Sequence, residues 1–151
     1  MKSSIYCVFV IQRIDGVCLF SKMYHPPNNS LASSKCVDED KYNILSGFIS
    51  AVSTIVTNVA DDYIKQMRLE GEKHIKIIVE TGDKVAVGVV ADKSESDRKL
   101  FNLARGLVKQ FNYLYGEKLK TWNGSLATFN IFDKIVDTEI GNTERDFTEY
   151  L

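Results

Sequence analysis

Two stretches of this chain leave little freedom to the rest of it. Ile5 to Ile11 and Val85 to Ala91 carry apolar residues at odd and even positions alike. A strand points alternate side chains to opposite faces, so a strand apolar on both must be covered on both. Helices are therefore expected above and below a sheet, with these two strands near its middle.

The first stretch leads into Asp15-Gly16, a two-residue hairpin signal, because glycine tolerates the positive φ that such turns need. Val17 to Tyr24 reads as the returning strand. With Asp15-Gly16 as the turn, paired residues have numbers that sum to 31. Cys7 then faces Tyr24, and Cys18 faces Arg13. One face would carry Cys7, Phe9, Ile11, Cys18 and Phe20. The other would carry Tyr6, Val8, Val10, Val17, Leu19 and Met23. Cys7 and Cys18 share a face but sit far apart along it, which argues against a bond between them. His25-Pro26-Pro27-Asn28-Asn29-Ser30 ends the strand, and a polar connection runs on to Cys36.

Tyr42 to Ala60 is the first helix. Ile44, Leu45, Phe48, Ile49, Val52, Ile55, Val56 and Val59 recur at helical spacing. Asp38 and Asp40 precede it, where a carboxylate meets orphan N–H groups and the positive end of the helix dipole. The opposite side carries Asn43, Ser46, Gly47, Ser50, Ser53, Thr54, Thr57 and Asn58, with no charge between Lys41 and Asp61. The apolar side is expected to pack on the sheet. The small uncharged side lets another backbone come close, so Ser46, Gly47, Ser50, Ser53, Thr54 and Thr57 are the candidate interface residues. A solvated Ser/Thr face is the competing reading.

Tyr63 to Glu70 reads as a strand, against continuation of the helix to Arg68, and Gly71-Glu72 as a turn. His74 to Glu80 puts Ile75, Ile77 and Val79 on one face and His74, Lys76, Ile78 and Glu80 on the other. Gly82-Asp83 turns into the strand Val85 to Ala91. Ser94 and Asp97 have capping-box spacing for a long second helix running to Trp122, with Asn123-Gly124 as its stop. Gly106 and Gly116 inside it mark a close contact or a break. Phe129, Phe132, Ile135, Val136 and Ile140 mark a short last helix. Residues 141–151 read as a polar, acidic, frayed tail beyond a single domain spanning 1–140.

The 19 Lys plus Arg balance 20 Asp plus Glu, a formal charge of −1 that gives no footprint for nucleic acid. The basic excess of the second helix reads as a solvated face. Three unevenly spaced cysteines make neither a disulfide framework nor a metal site, which points to the cytoplasm. No phosphate loop, dinucleotide fingerprint, zincin motif or nucleophile elbow occurs, so neither catalysis nor a cofactor is expected.

Strand, strand, helix, three strands, helix, helix resembles the longin, or SNARE-like, domain, a relative of roadblock and profilin-like folds. The resemblance spans residues 4–140. It is carried by Ile5–Ile11, Asp15-Gly16-Val17-Cys18-Leu19-Phe20, Leu45-Ser46-Gly47-Phe48-Ile49-Ser50-Ala51-Val52, Ile75–Val90, and Phe111-Asn112-Tyr113-Leu114-Tyr115 leading to Trp122. It implies an α+β, three-layer α-β-α fold with a five-stranded, mainly antiparallel sheet in the order 2-1-5-4-3. It further implies a non-catalytic interaction module that dimerises, or pairs with a related longin or roadblock-type domain, through its first helix and a sheet edge. Such modules serve vesicle-trafficking or small-GTPase-regulating complexes, so a small GTPase is a further expected partner. Membrane contact would be peripheral or through a partner. The chain shows no heptad segment or anchor after the domain, so a subunit is expected instead of a complete SNARE. A small-ligand sensor with a pocket between sheet and helices is the alternative.

Overall fold

The computed structural model describes residues 4–24 and 39–149; for 39–45 and 145–149 it describes the backbone course alone. The expectations for His25 to Cys36, and for Asp38 as a cap, lie outside the described residues. The elements run β1 (Ile5–Gln12), β2 (Cys18–Met23), α1 (Glu39–Ala60), β3 (Gln66–Glu70), β4 (Ile75–Thr81), β5 (Val85–Asp92), α2 (Asp97–Tyr115) and α3 (Phe132–Glu149). Short 3-10 turns at Lys118–Thr121 and Leu126–Phe129 join α2 to α3.

The strands form one antiparallel sheet in the order β2-β1-β5-β4-β3. The two doubly apolar strands are central and adjacent, as their composition requires. Val8, Val10, Val87 and Val89 pack against Leu103, Leu107, Phe111 and Phe132 on the α2–α3 side. Cys7, Phe9, Ile11, Val79 and Ala86 form a second cluster with Ile49 of α1 on the other side. The fold is therefore three-layered, with two helices below the sheet and one above. Phe9 pairs with Gly88 across the central strands, and a Cβ at Gly88 would stand 2.1 Å from the Phe9 ring. Glycine there makes room for an aromatic ring in the middle of the sheet.

The β1–β2 hairpin departs from its expected register. Cys7 pairs with Met23, and Val10 with Phe20, so numbers sum to 30 instead of 31; a bulge then sets Ile11 opposite Cys18. The turn is longer than two residues. Gln12 N–H donates to Val17 O at 2.9 Å and Gly16 N–H to Gln12 O at 2.9 Å, with Gly16 at φ +73°. A one-residue slip moves side chains to the other face. Phe20 thus joins the α2–α3 core and Met23 the α1 side, the reverse of expectation, and Val17 is exposed. Cys7 faces Met23, not Tyr24, and Cys18 faces Ile11, not Arg13.

Asp61, at φ +52°, ends α1 with its N–H on Thr57 O, which discards the continuation of that helix to Arg68. Ser96, not Ser94, caps α2 by accepting from Lys99 N–H at 3.3 Å; Ser94 is engaged with Asp92 instead. α2 stops at Gly116, seven positions short of the expected Asn123 stop, and Gly106 lies 3.2 Å (as a built Cβ) from Glu139 of α3. α3 is 18 residues long and runs on through Glu149, so the segment read as a frayed tail begins as helix. Between these helices and the sheet, Phe111 meets Tyr115, Phe129 and Phe132 with ring centroids 4.8, 5.3 and 5.1 Å apart. These interlocked rings pack the α2–α3 side of the core.

A candidate protein-interaction surface on the first helix

α1 lies on the sheet with a different side from the one its apolar pattern assigns. Of the six candidate residues, Ser46 is fully buried, Ser50, Ser53 and Thr57 are half-buried, and Gly47 and Thr54 are exposed. Ile49 is the one described α1 residue in the core cluster under the helix. Phe48, Ile55 and Val59, expected in the core, are 51%, 59% and 82% exposed. The helix is thus turned so that much of its serine and threonine stripe faces its own sheet and part of its apolar stripe faces out.

Three of the stripe's hydroxyls are satisfied within the helix. Ser53 donates to Ile49 O, Thr54 to Ser50 O and Thr57 to Ser53 O, each at 3.0 Å. A hydroxyl satisfied by its own helix can enter a protein interior at little cost. Small side chains also let α1 ride close to the β1–β2 turn, where a Cβ on Gly16 would lie 3.0 Å from Ser50 Cβ and 3.2 Å from Ser46 O. The clue available in the sequence was the absence of charge on that stripe, which fits an inward face as well as an outward one.

The outward face is correspondingly unusual. Phe48, Ile55 and Val59 run along it, the small Gly47 and Ala51 are exposed beside them, and no charged residue occurs from Ser46 to Ala60. Beneath the helix the sheet is incompletely covered: Tyr6, Met23, Met67, Ile75 and Ile77 are half-buried. At the far side of the sheet β3 hydrogen-bonds, among the described residues, to β4 alone, leaving its other edge open there.

Solved structures share this fold. A roadblock/LC7 domain from Streptomyces avermitilis superposes with a TM-score of 0.55 at 18% identity, over 74% of this chain and 86% of its own. Myxococcus xanthus MglB superposes at 0.53 and 14% identity, over 78% and 85%. The chain has a longin/roadblock-type fold. No protein-family model matches the sequence, and no curated protein matches it.

On the α2-facing side of this longin/roadblock-type fold, β3 is tied into a polar network. Arg68 of β3 donates to Asp97 at 2.8 Å and to Glu70 at 3.0 Å, and Gln66 donates to Glu80 at 2.9 Å. Lys76 and Glu80, both buried on the α2-facing side of β4, continue the network: Lys76 Nζ donates to Asp97 and to Glu95 O, and Arg105 Nε lies 3.6 Å from Glu80. The hydrogen bond from Lys76 holds the Asp97 carboxyl below the usual carboxylate range, with Arg68 adding to it. At the other edge Lys22 bridges Asp133 and Asp137 at 2.9 and 2.8 Å, and Tyr24 donates to Asp137 at 2.6 Å. Burial, then the Asp137 hydrogen bond, raises the Tyr24 phenol. These contacts tie β2 to α3. Among the described residues no cluster of His, Cys, Asp and Glu could hold a metal ion, and no helix is long and apolar enough to cross a membrane.

Proposed function

We propose that this domain is a non-catalytic, cytoplasmic interaction module that pairs with a second copy, or with a related longin/roadblock-type domain, through the outer face of α1 and the open edge of β3. The observation that carries the proposal is the uncharged outward stripe of Phe48, Ile55 and Val59. Single exposed apolar residues are ordinary, but an aligned row on one helix marks a contact site. Gly47 and Ala51 let a partner helix approach the backbone, and Thr54 borders the same face. Ser50, Ser53 and Thr57 help position α1, and Ser46 lies beneath it. β3 adds main-chain donors and acceptors that another strand could pair with.

Within a complex, such a pair would serve vesicle trafficking or small-GTPase regulation, with any membrane contact made through partners. Fold alone does not imply function, so the reading rests on the surface. Light scattering across a concentration series tests the pairing: a dimer that Phe48→Glu with Ile55→Glu converts to a folded monomer is the expected result. A monomer at every concentration removes self-pairing. Pull-downs with small GTPases in each nucleotide state test the second half; no capture in any state removes it.

A further inference from the structure

α1 is mismatched to its seat in two independent ways. Ser46 Oγ is buried with no hydrogen-bond partner among the described residues, while Phe48, Ile55 and Val59 stand in solvent. The sheet face under the helix is also incompletely covered, with Tyr6, Met23, Ile75 and Ile77 half-buried. A buried hydroxyl that has lost water, and apolar surface left exposed on helix and sheet, are each unfavourable. One movement relieves all three. At ~100° per residue, Phe48, Val52, Ile55 and Val59 lie on an arc roughly a third of a turn from Ser46, Ile49, Ser53 and Val56.

We propose that α1 is a two-position helix. In the outward position, the one in the structure, it presents Phe48, Ile55 and Val59 to a partner. In the inward position it rolls by roughly a third of a turn, lays those side chains on the half-covered sheet face and returns Ser46 to water. A lone chain thereby conceals its own docking surface, and pairing draws the outward form from the balance. The outward seat is held by the close fit of Ser46 and Ser50 on Gly16, a contact that the inward position gives up. The regulatory half of this inference rests on the pairing proposed above; the roll itself does not.

Thiol labelling of the whole chain, read peptide by peptide, tests it. Ser46→Cys and Ile55→Cys are made separately, with buried Cys7 as the internal measure of global unfolding. In dilute protein the thiol at position 46 should label roughly tenfold faster than Cys7, through a sub-global opening, and the thiol at position 55 should be slow. Raising the concentration should slow position 46 as the outward form is captured. The reverse pattern at dilution, or a position-46 rate equal to that of Cys7, overturns the roll. Ser46→Ala supplies a second reading: without the orphaned hydroxyl the outward seat is favoured and pairing tightens, whereas unchanged or weaker pairing counts against it. Light scattering on the same samples separates the two ideas. Pairing without the labelling pattern removes the roll alone; the labelling pattern without pairing removes the docking surface.

Discussion

Gly88 and Phe9 show how one absent atom group sets the middle of the sheet. The Phe9 ring lies over the position a Cβ would take. Gly88→Ala should therefore cost about 1–3 kcal/mol by overpacking, and Phe9→Leu in the same chain should recover part of the loss; thermal melts of the two variants check this. Asp97 gives a prediction of opposite character. Its folded carboxyl is held low by Lys76, so its contribution to stability is present above the unfolded value, about pH 3.9, and fades as pH falls through the lower folded one. Asp97→Asn should remove that part of the acid limb. It should also cost about 1–3 kcal/mol at neutral pH, because the buried Lys76 ammonium loses its carboxylate counter-ion and keeps neutral acceptors, Glu95 O and the amide oxygen at position 97. Denaturation midpoints against pH measure both. Alternation along β4 placed Lys76 and Glu80 on one face from the sequence. Their burial was not legible there, since Asp97 and Arg105 reach them only after α2 has docked.

Elements repeat the lesson at larger size. Both doubly apolar strands, the hairpin and the period of each helix were readable, because they depend on local alternation. The hairpin register was not: a four-residue turn, Arg13 to Gly16, and a bulge after Val10 exchange the faces of Phe20 and Met23. Nothing in a local pattern fixes a bulge that tertiary packing selects. Phe20 consequently meets Phe132 edge-on, with centroids 5.4 Å apart. Phe132 is fully buried among Phe20, Phe111 and Tyr115, so Phe132→Ala should lose about 3–5 kcal/mol. A calorimetric or urea midpoint shift well below that range would place the α3 contact outside the cooperative core. The orientation of α1 was missed for a related reason. Periodicity locates an apolar arc on a helix, but the shape of the seat decides which part of the arc goes down, and here Gly16 admits only small side chains.

For the molecule as a whole, the layered arrangement followed from composition, since a greasy central pair cannot be left bare. The exposed row on α1 did not follow: periodicity assigns Phe48, Ile55 and Val59 to the interior, and the structure leaves them in solvent. Pairing through this face makes stability depend on protomer concentration. The melting temperature should rise with concentration, and Phe48→Glu should leave it flat; scanning calorimetry over a dilution series decides.

The strand order carries a consequence for how the chain is made. β1 leaves a ribosome before the other strands of the sheet, yet one of its two neighbours is β5, which is synthesised only after β2, α1, β3 and β4. Pairings so distant along the chain close slowly. Until β5 arrives, Val8 and Val10 have an open flank, and the nascent hairpin is a sticky ribbon in search of a strand. Any companion that shields it in that interval would act on the N-terminal third of the chain, long before the finished surface exists.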